Sequence, residues 1–231
     1  MSPERSRRLV VALDGPASSG KSTVGSAAAA ELGYRFCDTG LFYRALTYLA
    51  LALGHEAADP APLVADLERI DLVADAVGRY DHVRLDGRDV TAEVRSPKVD
   101  RRVSEFSAIP QVRAALVPRQ RALAEGGGIV MAGRDIGTAI LPDADLKLYL
   151  DASPEERARR RAEERGLDPG GPEAAAILED LRRRDDVDSH RSVAPLRVAP
   201  DAVVIRTDGN RREETIALVV EAMRRAEARA A

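Results

Sequence analysis

Gly15-Pro16-Ala17-Ser18-Ser19-Gly20-Lys21-Ser22 follows directly on the apolar run Leu9-Val10-Val11-Ala12-Leu13 and its closing Asp14. The run, bounded by charge before and glycine after, reads as a strand buried on both faces of a parallel sheet. Lys21 to Leu32 is rich in helix formers and stops at Gly33, a suitable residue just past a helix C-terminus. Between strand and helix lies G-x-x-x-x-G-K-[ST]. In such a loop successive backbone N–H groups turn toward one point, the next helix presents its positive end, and the lysine adds a mobile charge beside phosphate. A strand, a phosphate loop and a helix in that order point to an α/β layer fold.

The rest of the chain keeps this alternation. Tyr34–Cys37 reads as a second strand, and Asp38-Thr39-Gly40 opens a helix whose apolar residues run from Leu41 to Leu53. Further strands are expected at Ile129–Ala132, Leu146–Leu150 and Ala202–Ile205, giving five short buried strands with helices on both faces. From Asp71 to Arg95 the character changes. Two β-like runs, Asp71–Val73 and His82–Leu85, and the turn dipeptide Asp86-Gly87 predict a small antiparallel insert. Ser96-Pro97 and Pro110 open two helices, the second kinked by Pro118. Ser153-Pro154-Glu155-Glu156 starts another, which carries Arg157, Arg159, Arg160, Arg161 and Arg165 and breaks at Gly166. Leu167–Pro172 reads as a mobile flap, and Ile216–Met223 lies in a C-terminal helix.

Charge nearly cancels over the 231 residues, 35 Lys+Arg against 38 Asp+Glu, so no global field would hold the chain on nucleic acid or an anionic membrane. Almost all the positive charge is arginine; Lys21, Lys98 and Lys147 are the lysines. The single cysteine, Cys37, excludes an intrachain disulfide and a thiolate zinc site, fits a reducing compartment, and reads as a small buried apolar residue. His55, His82 and His190 have no metal-ligand spacing. Arg5, Arg7 and Arg8 precede the first apolar run, but that run is shorter than the about 7–15 residues of a signal-peptide core. No run approaches the ~18 residues needed to span a bilayer. The expectation is a soluble cytoplasmic protein, with its first eight residues a basic tail.

The loop implies a nucleoside triphosphate held by Gly15 to Ser22 and Thr23, with Ser22 placed for Mg²⁺. What is done with the triphosphate depends on the acceptor. The base-reading Asn-Lys-x-Asp of GTPase switches is absent, and no strand ends in Asp-Glu as in motor ATPases. Arginines are what the sequence offers. If the acceptor is itself a phosphate, two unit charges about 4 Å apart repel by about 4 kcal/mol at an effective dielectric of about 20. Several arginines must offset that. An ionised phosphate needs no general base, so catalysis reduces to positioning and charge neutralisation.

Four more segments carry a resemblance: Asp38-Thr39-Gly40-Leu41-Phe42-Tyr43-Arg44; Gln111-Val112-Arg113 with Gln120-Arg121; Gly133-Arg134-Asp135-Ile136-Gly137-Thr138; and Arg184-Asp185-Asp186-Val187-Asp188-Ser189-His190-Arg191-Ser192-Val193-Ala194-Pro195-Leu196. With the phosphate loop they closely resemble the bacterial cytidylate kinases, in the same order from Val10 to about Ile205. The resemblance implies a P-loop nucleoside monophosphate kinase fold: a core over residues 1–62 and 108–231, a lid at about 157–172, and an acceptor-binding insert over 63–107. It implies transfer of the ATP γ-phosphoryl group to CMP or dCMP, with Mg²⁺, by a monomer whose partners are small molecules.

The same resemblance sets Thr39 and Arg44 at the mouth of the acceptor site, Arg44 on the 5′-phosphate with Arg134 as its partner. It sets Arg113 and Asp135 on the cytosine ring, where a carboxylate accepts from the exocyclic amine and a guanidinium donates to ring acceptors. Arg184, Asp188 and Arg191 reach sugar and base, and Ser104 the sugar. Arg157, Arg160 and Arg161 match lid arginines over the donor phosphates, although helix arginines facing Glu155, Glu156 and Glu164 also read as a solvated face. Lys21, Arg134, Arg160 and Arg161 are the expected catalytic set. Two other readings stand beside this one. The same fold could serve UMP, AMP or shikimate, or the arginine runs could bind RNA in a regulatory protein, which the interleaved acids and the 3% aromatic content oppose.

Overall fold

Every residue of β1 (Val10–Asp14) is buried, and its side chains alternate between two cores. Val11 and Leu13 join Val24 and Ala28 of α1 (Lys21–Leu32) on one face; Val10 and Ala12 meet Cys37, Met131, Ile136 and Ile140 on the other. This computed structural model describes residues 8–230; most of the expected basic tail lies outside the described residues. Beside β1 stand β2 (Arg35–Asp38), β6 (Ile129–Ala132), β7 (Leu146–Asp151) and β8 (Val203–Arg206), all parallel, in the order β2-β6-β1-β7-β8. Helix α1 and the C-terminal α8 (Arg212–Ala230) pack together on one face. The layered α/β arrangement with a central parallel sheet is the one anticipated, with one departure. Strand β8 closes the sheet as an edge and leaves Val203 and Val204 about half exposed, so it is not buried like the others.

The antiparallel insert is present as β3 (Ile70–Ala74), β4 (Arg79–Leu85) and β5 (Arg88–Asp89). Asp86 (φ 49°) and Gly87 (φ 80°) turn β4 into β5 with two positive φ values, as the dipeptide predicts. The insert is not a separate sheet. Strand β4 pairs parallel to β2 through Phe36–Arg79 and Cys37–Tyr80, so the insert extends the core sheet to eight strands. A large apolar cluster joins α2 (Gly40–Leu53) and α3 (Pro60–Asp66) to α4 (Pro97–Ser107) and α5 (Pro110–Ala124) around Leu46, Leu63, Val94, Phe106 and Leu116. Helix α5 runs through Pro118 without interruption.

Helices α6 (Pro154–Glu164) and α7 (Pro172–His190) form a hairpin. Ser153 caps α6 by accepting from the Glu156 N–H at 3.2 Å, as expected of Ser-Pro-Glu-Glu. Small residues fill the hairpin's core, and one comes from the phosphate loop: Ala17 packs with Ala158, Ala162, Ala174, Ile177 and Leu181. The segment between the helices, expected as a flap, tucks Leu167 against this core, and Asp168 accepts from the N–H groups of Gly170 and Gly171. No helix among the described residues is long and apolar enough to cross a membrane.

Candidate active site

The loop after β1 closes tightly over the end of β7. Gly15 has φ 151°, and a Cβ there would lie 2.3 Å from the Leu150 carbonyl oxygen, so only glycine fits. Gly20 stands at the N-cap of α1 with no side-chain cap, leaving the first N–H groups of the helix free for an anion. Lys21 folds back into the loop: its Nζ donates to the Pro16 carbonyl at 2.6 Å and to Ser19 Oγ at 3.2 Å. Burial pushes the Lys21 ammonium well below its usual pKa and the neighbouring Arg134 adds to this; Asp38 and Asp14 oppose it. A cation in that state favours an arriving anion. Ser22 Oγ donates to Asp38 Oδ2 at 2.6 Å, setting a hydroxyl and a carboxylate side by side at the start of the helix.

Across the cavity, charges are paired. Asp135 accepts from Arg113 at one carboxylate oxygen and from Arg191 at the other, 2.9 Å away. All three side chains are buried, and the Arg113 guanidinium also donates to the Ser107 carbonyl and lies 5.4 Å from the centroid of the Tyr43 ring. Asp14, at the end of β1, holds the segment that carries Arg134 and Asp135. Its two oxygens each accept a backbone N–H at 2.8 Å, from Ile136 and Gly137, at the start of a π-helix over Ile136–Ile140. Burial pushes the Asp14 carboxyl up to about 6, against those two hydrogen bonds.

Toward the hairpin lies an arginine cluster. Arg134 donates to Asp188 at 3.0 Å, Arg44 to Asp100 at 2.6 Å, and Arg161 to Asp100 at 2.8 Å. Arg184 is partly buried among them; desolvation, Arg134 and Arg44 bring it down to about 10, and its buried Nε has no hydrogen-bond partner among the described residues. Ser104 is buried one turn beyond Asp100 on α4. Thr39 donates from Oγ1 to the Ala132 carbonyl at 2.9 Å, fastening the start of α2 to the end of β6.

One cavity of about 370 Å³ joins these parts. Its lining holds Ala17 to Thr23 of the loop together with Thr39, Arg44, Ser104, Arg113, Arg134, Asp135, Arg160, Arg161, Arg184, Asp188 and Arg191. Gly15 and Pro16 are not in that lining; they shape the loop from behind. Arg160 is turned toward Thr207, donating to its Oγ1 at 3.1 Å, and to Glu156 at 2.8 Å. Arg157, expected with Arg160 and Arg161, is absent from that lining. It is buried and pinned, donating to the carbonyls of Ala152 and Ala17 and to Asp185, and so seats the hairpin on the loop.

Among the cavity and support residues with no role assigned from sequence are Asp14, Asp38, Tyr43, Asp100 and Gln120. Asp38 and Tyr43 stand inside the D-x-G-x-x-Y-R run, and Gln120 lies seven residues after Arg113 on the same face of α5. Gln120 Nε2 and the Tyr43 hydroxyl are buried without partners among the described residues. A buried donor left in that state favours a polar ligand beside it.

A protein-family model described as Cytidylate kinase matches residues 11–225. The chain belongs to the cytidylate kinase family. It is 44% identical over 221 residues to a cytidylate kinase of Symbiobacterium thermophilum, covering 95% of this chain and 97% of that one. It is 47% identical over 216 residues to one of Geobacillus kaustophilus (93% and 96% covered), and 44% identical over 214 residues to one of Mycobacterium leprae (92% and 94% covered). Family membership accounts for the order of the motifs along the chain. The geometry accounts for why those motifs meet in one cavity.

Proposed function

We propose that this protein transfers the γ-phosphoryl group of ATP to CMP or dCMP, giving ADP and CDP or dCDP, as a cytoplasmic enzyme of pyrimidine nucleotide metabolism. The observation that carries this reading is the continuity of a phosphate loop with the buried Arg113–Asp135–Arg191 group in one cavity. ATP binds with its phosphates on the N–H groups of the loop and the start of α1, with Lys21 turned from Pro16 onto the β- and γ-phosphates. The acceptor's base lies against Arg113, Asp135 and Arg191, within reach of Gln120, and its sugar beside Ser104 and Asp188. Its phosphate is taken by Arg44, Arg134 and Arg184.

An acceptor phosphate oxygen attacks the γ-phosphorus in line, the bond to the ADP oxygen breaks, and no proton need be removed from an ionised phosphate. Arg134 lies between the two halves and, with Lys21 and the hairpin's Arg160 and Arg161, offsets the charge of the transferred group. Ser22 and Asp38 offer hard oxygen atoms at the phosphate end of the cavity, a donor set that fits Mg²⁺ carried mainly by phosphates and water. When bound there, Mg²⁺ neutralises charge on the β- and γ-phosphate oxygens. The insert over 63–107 supplies Asp100 and Ser104 to the acceptor side, and the hairpin, including 157–172, acts as the lid.

The test is ADP release from MgATP with CMP, dCMP, UMP, AMP and GMP at matched concentration. A strong preference for CMP and dCMP supports the reading. Preference for another monophosphate would keep the chemistry and overturn the base contacts assigned to Arg113 and Asp135.

A further inference from the structure

Asp188 holds Arg134, and Asp100 gathers four further guanidiniums on the side of the cluster toward the hairpin. Asp100 Oδ1 accepts from Arg44 at 2.6 Å and lies 4.0 Å from Arg184; its Oδ2 accepts from Arg161 at 2.8 Å and lies 3.8 Å from Arg165. Those four guanidiniums come from α2, from α6 and the residue that ends it, and from α7, while Asp100 itself sits in the first turn of α4. The anion thus joins core, insert and hairpin at one point. Burial pushes its carboxyl up, but Arg44, Arg161 and Arg184 more than reverse this, so it stays ionised.

One carboxylate is a poor match for this many donors. It brings a single charge and two oxygens, and the Arg184 Nε remains buried without a partner among the described residues. A phosphate monoester dianion brings up to twice the charge and three oxygens, which suits planar guanidiniums better. Arg44 also donates to the Val94 carbonyl at 3.3 Å, a second hold that keeps it at the cavity once Asp100 lets go.

We propose that Asp100 is a positioning counter-ion: it occupies the acceptor-phosphate arginines of the free enzyme and is displaced from them when the acceptor's phosphate binds. This rests on the acceptor site proposed above and goes beyond it in two ways. Asp100 competes with every anion that could enter, so a small inorganic anion meets a cluster already neutralised, whereas a nucleotide that also fills the base site supplies the affinity to displace it. Displacement also releases Arg161 from the insert, so arrival of the acceptor frees a hairpin guanidinium for the transferred phosphoryl group.

The experiment is calorimetric titration of the full-length wild type, Asp100→Asn and Asp100→Glu with CMP, with cytidine and with inorganic phosphate, alongside steady-state kinetics. Asp100→Asn is expected to bind CMP and phosphate roughly fivefold tighter, to leave cytidine binding and the KM for ATP unchanged, and to lower the KM for CMP; Asp100→Glu returns all of these toward wild type. Unchanged or weaker binding of CMP and phosphate by an Asp100→Asn variant that melts like wild type would overturn the proposal. If that variant melts early, the side-chain carboxyl ¹³C resonance of Asp100 is followed in wild type. A shift on saturation with phosphate or CMP supports displacement, and a resonance that does not move overturns it. Failure of the CMP assignment is read separately. If wild type binds phosphate but not CMP, the acceptor reading falls, and the phosphate titrations still decide the role of Asp100.

Discussion

The two ends of the cavity, assigned above to donor and acceptor, present their cations by opposite means. The donor end is contiguous in sequence and built largely from backbone: a tight loop, an uncapped helix start, and one buried lysine held by a carbonyl and a hydroxyl with no carboxylate partner among the described residues. The acceptor end is built from side chains on five helices and two loops, and it balances its charges internally, Arg113 and Arg191 on Asp135, Arg134 on Asp188, Arg44 and Arg161 on Asp100. A site that waits with an unbalanced cation is strained by its own function. A site that balances itself is stable when empty, and loses that stability when one acid is removed.

The sharpest way to break this contrast is to remove one charge from each end. In Asp135→Ala two buried guanidiniums lose their shared carboxylate, a change worth about 3–5 kcal/mol in comparable buried pairs. Thermal or urea unfolding should register that loss, and the folded fraction should lose CMP affinity far more than ATP affinity. Lys21→Ala should do the reverse. Turnover falls about 10²–10³-fold because charge on the transferred group is no longer stabilised, while the melting temperature stays level or rises as a desolvated cation repelled by Arg134 is removed. A Lys21→Ala protein that unfolds early, or an Asp135→Ala protein as stable as wild type, would contradict the division.

Asp14 links the two ends, and its test is a pH dependence. Its carboxyl sits at about 6 in the folded protein against an ordinary 3.8, so between those values the folded state binds more protons than the unfolded one. Its contribution to stability is full below about pH 4 and declines as pH rises through 6, by up to about 3 kcal/mol. Asp14→Asn removes the titration but also half of the acceptor pair for Ile136 and Gly137, so it is less stable than wild type at pH 4. The deficit should narrow as pH rises to 7, measured as urea unfolding at several pH values. A deficit constant with pH would mean that Asp14 ionises in the fold as it does in the unfolded chain.

The same contrast explains which features the sequence carries locally. The loop from Gly15 to Ser22 was legible because its chemistry is local: spacing alone aims the N–H groups and places Lys21. The Asp86-Gly87 turn and the Ser153 cap were legible for the same reason. The acceptor residues were nameable only through resemblance, because nothing in the spacing of Arg113, Asp135 and Arg191 says that they converge. Asp100 was not legible at all, since its role exists only where α4 meets α2, α6 and α7. Long-range packing likewise decided that β4 would join β2, that β8 would be a half-exposed edge, and that Arg157 would be buried against the Ala17 carbonyl.

The run Arg182-Arg183-Arg184 gives the smallest effect and the finest comparison. The three residues are chemically identical, and a reading of the run as a polyanion-binding stripe would treat them alike. The fold does not. Arg184 is turned into the cavity beside Arg44 and Arg134, whereas Arg182 reaches Glu155 across the hairpin surface at 2.7 Å with both side chains more than half exposed. An exposed pair of that kind contributes about 0.2–1 kcal/mol. Arg182→Ala should therefore leave turnover and both KM values as they are and shift unfolding only slightly, while Arg184→Ala raises the KM for CMP. Steady-state kinetics on the two variants in parallel decides it: equal losses from both would mean that the run acts as one charged surface.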